Sequence, residues 1–200
     1  MAQIKTALDL ALERTAGLKA DKSGLEQSEA KKAGRMAAAK YLENPTEIDL
    51  KKELNKQKSE FLGAAREGAV EAILSYAQLP RDKESMPALD KIAAGLNEAA
   101  AQGLPKQAKS LLDQLGGFME QYLKALEQME EALRRQYAPK LKQKEQEMAR
   151  RTGQEVKLDP LRDPEFINFY TNNMNQLKAQ YQGALTQAKE DLKNFILSEK

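Results

Sequence analysis

The 200-residue chain contains no cysteine, no histidine and no tryptophan. Without cysteine there is no disulfide framework and no thiol nucleophile; without histidine there is no imidazole base. The two absences together remove zinc and haem sites built on Cys or His ligands. β-branched residues are scarce, with Val 2, Ile 6 and Thr 6, which argues against a sheet protein. No apolar run approaches the roughly 18 residues of a membrane span, and the mean hydropathy is -0.69. Asp9, Glu13 and Arg14 interrupt the apolar residues before Gly17. The opening therefore does not read as a secretory signal, and a cytoplasmic location is expected.

What the chain does contain favours helices. Ala 29, Leu 27, Lys 23, Glu 21 and Arg 9 account for 109 of 200 residues, a composition typical of long or coiled-coil helices. Lys and Arg number 32 against 30 Asp and Glu, a net charge of +2. So even a balance argues against nucleic-acid binding by the whole molecule and leaves room for a local patch.

Seven prolines, Pro45, Pro80, Pro87, Pro105, Pro139, Pro160 and Pro164, punctuate helical spacing. A first helix is expected near 2–16, with Ile4, Leu8 and Leu12 on one stripe and Gly17 as its stop. A second is expected near 24–43, opened by a Ser23–Glu26 capping box and closed by Asn44-Pro45. A third is expected from Pro45 to Gln78, capped by Asn44, polar in its first half and core-forming from Phe61 to Ala77. A charged loop over Arg81–Met86 precedes a fourth helix near 87–102, with Ser85 as its cap, Leu89, Ile92, Ala93 and Leu96 inward, and Gly103 as its stop.

The fifth helix is expected from Pro105 to Arg151, weakened at Gly116-Gly117 by about 1 kcal/mol per glycine and kinked at Pro139. Leu111, Leu115, Phe118, Tyr122, Leu126, Met129 and Leu133 follow near-heptad steps. Beyond Pro139 the helix is polar nearly all round, so it should protrude or pair with a neighbour. A connection over Thr152–Arg162 carries Val156 and Leu158. Asp163-Pro164-Glu165 then caps a sixth helix that lacks a breaker until Ser198. Its stripe is Ile167, Tyr170, Met174, Leu177, Tyr181, Ala184 and Ala188, passing by one residue to Leu192, Phe195 and Ile196. At 1.5 Å per residue such a helix spans about 52 Å, longer than the roughly 40–45 Å of a compact 200-residue globule. The expected fold is all-α: an elongated antiparallel bundle with long coiled-coil-like helices in one domain over 1–200. A subdivision into shorter helices (1–103) and a long hairpin (104–200) is an option.

Catalytic constellations are missing. There is no G-x-S-x-G elbow, no S-x-x-K and no phosphate loop. The paired carboxylates Glu130-Glu131 point about 100° apart on a helix and do not converge. No catalytic, cofactor-binding or metal-ligating residues are assigned, no cofactor or small-molecule ligand is expected, and the chain is read as a non-enzyme. Two surfaces stand out instead. Arg134, Arg135, Lys140, Lys142, Lys144, Arg150 and Arg151 against Glu145 and Glu147 leave +5 over Arg134–Arg151. That stretch is either an anionic-polymer surface or a solvated helix end suited to its dipole. Upstream, Glu120, Glu127, Glu130 and Glu131 oppose only Lys124. The second surface is a packing or assembly seam of Leu126, Met129 and Leu133 with Tyr170, Met174, Leu177 and Tyr181, closing within one chain or between two. The aromatic run Phe166, Phe169 and Tyr170 is expected to pack against the fifth helix or to form an exposed patch.

The string Ile4-Lys5-Thr6-Ala7-Leu8-Asp9-Leu10, with Glu13-Arg14-Thr15 and Leu18, resembles the opening of a family of uncharacterised bacterial helical proteins. The resemblance covers about the first 20 to 30 residues. It implies a bacterial source and a domain of unknown function, and supplies no site residues. The leading expectation is a non-enzymatic protein-interaction or scaffold role with a protein partner or self-association. Nucleic acid, bound through the basic helix end, is the less favoured alternative.

Overall fold

A computed structural model describes the backbone of residues 7–198 and the side chains of residues 23–198. The described residues form six α-helices and no strand: α1 (Ala7–Glu43), α2 (Leu50–Leu54), α3 (Leu62–Ser75), α4 (Leu89–Ala99), α5 (Lys106–Thr152) and α6 (Pro164–Ser198). Among the described residues no helix is long and apolar enough to cross a membrane. The chain divides into two compact units. One takes in the chain up to Ala77, then Ala88–Leu112 and the end of α6 from Glu190; the other comprises Gln78–Pro87 and Asp113–Lys189.

In the first unit α1 and α3 run in the same direction. Lys31 pairs with Glu67 at 2.8 Å and Arg35 with Glu71 at 2.8 Å, each 36 residues apart in sequence, and Lys58 pairs with Glu26 at an offset of 32. The two helices touch backbone to backbone. A Cβ on Gly34 would overlap the carbonyl of Ala65, and one on Gly68 would overlap that of Lys31. Only glycine permits this approach, and Ala30, Ala38, Ala65 and Ala69 extend it as fully or nearly buried small residues. α2 carries Leu50 and Leu54 into the core. Its first turn is held by the Asp49 side chain, which accepts from the Lys52 amide at 2.9 Å, and by Glu98 of α4, which accepts from the Leu50 amide at 2.8 Å. From the end of α6, Lys193 reaches Glu71 at 2.7 Å and Glu67 at 3.2 Å. Burial alone would push the Glu71 carboxyl up; hydrogen bonds from Lys193, Arg35 and Lys31 outweigh it and hold it at about 2.

Several boundaries differ from expectation. α1 runs unbroken through Gly17 and Ser23, so neither the glycine stop nor the Ser23–Glu26 capping box is used. A helical glycine costs only about 1 kcal/mol, and no proline enforces the break. The stripe of Ile4, Leu8 and Leu12 lies outside the residues whose side chains are described. The expected helix from Pro45 to Gln78 is instead α2, a 3-10 turn at Ser59–Phe61 and α3, because Asp49 rather than Asn44 supplies the cap. Ser85 does not cap α4; its hydroxyl accepts from the amides of Arg81 and Asp82 within the loop. α4 ends at Ala99, and Gly103 serves beyond it with φ +91°.

Candidate interaction surface

The second unit is dominated by an antiparallel helical hairpin. α5 continues through Gly116, Gly117 and Pro139, since the amide missing at Pro139 leaves only the Arg135 carbonyl without its helical partner. The core face of α5 comprises Leu115, Met119, Tyr122, Leu133 and Tyr137. Rings fill the space between the helices. Tyr181 lies 5.2 Å from Phe118 and 5.0 Å from Tyr122, and Phe166 lies 5.1 Å from Tyr137, centroid to centroid. Residue numbers rise along α5 as they fall along α6, which defines the antiparallel sense.

Of the expected seam, Tyr181 meets α5 at the Phe118 and Tyr122 rings. Leu133 and Leu177 are buried; Leu126, Met129, Tyr170, Met174 and Tyr181 are half-buried. Two α6 positions are shifted by one residue. Phe166 is buried where Ile167 was expected, and Ile167 is 43% exposed. Leu185 is buried in place of Ala184. The larger side chain wins each time because it removes more apolar area from water.

A polar lock closes the hairpin at its connection. Asp163 accepts from the α6 amide of Glu165 at 3.1 Å, from Tyr137 Oη at 2.8 Å and from Lys144 Nζ at 2.6 Å. Lys144 also donates to Tyr137 Oη at 3.1 Å and pairs with Glu165 at 3.0 Å. Lys140 pairs with Glu165. Lys144 beside Asp163, together with the Tyr137 hydroxyl and the Glu165 amide, outweighs desolvation and holds the Asp163 carboxyl at about 2. Asp163 and Tyr137 in turn push Lys144 above its ordinary value. Desolvation raises Tyr137. Glu145 accepts from the Leu158 amide at 2.9 Å, so the α5 segment beyond Pro139 is tied to the connection of its own chain.

The basic stretch is thereby largely neutralised. Arg134 forks onto Glu130 at 2.9 and 3.2 Å, Arg135 pairs with Glu131, and Lys140 and Lys144 belong to the lock. Among the described residues, Lys142, Arg150 and Arg151 have no carboxylate partner. Glu120 and Glu127, from the acidic stretch, instead line an open groove of about 650 Å³ with Lys83, Met86, Leu123 and Lys124. Mixed charge over a shallow floor supplies no convergent polar set of the sort that orients a small ligand.

The outward face of α6 is different in kind. From Phe166 to Ala188 the helix carries one charged residue, Lys178, in a chain that is 31% charged. Asn168, Asn172, Gln176, Ala179, Gly183 and Thr186 are all exposed and follow helical spacing along the side opposite Leu177 and Tyr181. No Cβ contact would lie within 4 Å at Gly183. Neither this face nor the Tyr137–Asp163 lock emerged from motif reading. Counting charges along the sixth helix would have found the face; the lock had no sequence signal beyond the Asp-Pro cap.

A model of a family of unknown function (DUF6657) matches residues 51–194. The match does not reach the Ile4–Leu10 opening. No curated protein and no solved structure matches the chain.

Proposed function

The chain belongs to this family of unknown function (DUF6657), and we propose that it acts as a non-enzymatic protein-interaction module whose contact surface is the outward face of α6. The observation that carries this reading is the run of exposed, uncharged amide and small side chains from Asn168 to Thr186. Interface centres are depleted of charge relative to the rest of a protein surface. A solvated helix in this chain otherwise looks like α5, dense in Lys, Arg and Glu. The pairing of Arg134, Arg135, Lys140 and Lys144 within the chain weighs against the anionic-polymer alternative. A bacterial source and cytoplasmic location, suggested by the opening residues and the composition, complete the same reading.

The test is affinity capture with the tagged chain from lysate with and without nuclease treatment, wild type beside Gly183→Glu. The expected result is a defined protein bound by wild type and lost from the variant. Equal recovery by both would overturn the assignment of the face. Retention of nucleic acid alone, lost on nuclease treatment, would move the function to Lys142, Arg150 and Arg151.

A further inference from the structure

We propose that a cleft in the first unit binds an aliphatic monocarboxylate, with the Arg66 guanidinium on the carboxylate and the chain against apolar walls. The site goes beyond the interaction reading above and does not depend on it. It departs from the expectation that no small-molecule ligand binds.

The cleft has a volume of about 370 Å³, at the small end of the roughly 300–1,000 Å³ of ligand pockets. Ala99 and Ala101, at and just beyond the end of α4, and Ile196 and Leu197, near the end of α6, form its apolar walls. Gly63 and Arg66 border it from α3. A Cβ on Gly63 would meet nothing within 4 Å, so the cleft is open on that side.

Arg66 is the polar group that the fold leaves unanswered. Of the eight described arginines it alone is half-buried; the other seven are exposed. An arginine withdrawn from water normally has an anionic partner, and among the described residues Arg66 has none. The sequence explains the gap. Positions three and four away on α3 are Leu62, Gly63, Ala69 and Val70, so no ion pair along the helix is available. Glu67, the one carboxylate lining the cleft, is already taken by Lys31 at 2.8 Å and Lys193 at 3.2 Å. Glu71 is shared by Lys31, Arg35 and Lys193. Four cations, Lys31, Arg35, Arg66 and Lys193, thus stand against two carboxylates, and the unmatched one lines the cleft.

An anion complements this balance, and the walls select its chemistry. A carboxylate offers two oxygens to the parallel N–H groups of a guanidinium, and an aliphatic chain covers the walls. A phosphate dianion would bring more charge than one guanidinium matches and no chain for the walls. One charged contact and a short chain make a weak ligand, with a dissociation constant on the order of millimolar.

Titration of the ¹⁵N-labelled chain with sodium hexanoate to about 20 mM, followed by amide and arginine Nε–H NMR shifts, tests this. The expected result is a saturable set of shifts centred on Gly63, Arg66 and Ala101. Hexanol and hexylammonium should bind at least about tenfold more weakly, as should hexanoate to Arg66→Gln. That variant breaks no ion pair, so its melting temperature should not fall. Gly63→Leu fills the cleft and replaces a helical glycine; it should abolish the shifts while melting at or above the wild-type temperature. No saturable shift with wild type overturns the proposal, as does a set centred away from the cleft. Equal binding of hexanol, undiminished binding by Arg66→Gln or Gly63→Leu, or saturation by inorganic phosphate in place of hexanoate each overturns it as well.

Discussion

Glycines divide by what a methyl group would meet. At Gly34 and Gly68 it would enter a backbone carbonyl of the neighbouring helix; a backbone cannot rotate away as a side chain can. Gly34→Ala and Gly68→Ala should each destabilise by about 1–3 kcal/mol, the usual cost of overpacking, read as a lower urea midpoint. Gly183→Ala should instead stabilise by up to about 1 kcal/mol. The reverse order would mean that the α1–α3 contact is misplaced. Glu71 supplies a pH test. Its carboxyl is depressed from 4.5 to about 2, so its contribution to stability is complete above about pH 5 and fades as pH falls through 4.5 towards 2. The stability gap between wild type and Glu71→Gln should be flat from pH 7 to about 5 and should shrink below that. A gap unchanged down to about pH 2.5 would contradict the ion-pair assignment. None of this was visible in the sequence, where Gly34 and Gly68 are ordinary helix interruptions and Lys31, Glu67 and Lys193 are unrelated surface charges. Their meaning arises from long-range packing.

Helices were far more legible than their ends. Periodicity located α4, α5 and α6 because proline and an Asp-Pro cap bound them. It misjudged α1, where glycine was read as a stop, and the Pro45–Gln78 region, where Asp49 competes with Asn44 for the cap. On α6, 3.6-residue geometry over 35 residues drifts relative to a heptad. The buried stripe therefore opens at Phe166 and passes through Leu185. Asp163 gathers an α6 amide, a tyrosine and a lysine, so Asp163→Ala should loosen the hairpin connection first. Amide exchange should rise most at Leu158 and at the first turn of α6, with little change around Tyr122 and Tyr181. Uniform acceleration would show that the lock is not local.

At the scale of the whole molecule, balanced charge and internal pairing predict little affinity for nucleic acid. Fluorescence anisotropy with a labelled duplex at about 150 mM salt should show no saturable binding, and a steep salt dependence of a strong signal would contradict this. The all-α class followed from composition. The candidate surface did not, because a neutral exposed face is marked by what is not there. That this face is a contact surface is tested most directly by cross-linking from it, since the chain has no native cysteine. Gly183→Cys carrying a photoactivatable cross-linker on its thiol would be irradiated in host lysate. The expected outcome is one defined protein joined to it in greater yield than to Ala132→Cys, exposed on α5 and labelled the same way. Cross-linking no greater than from Ala132→Cys would contradict it.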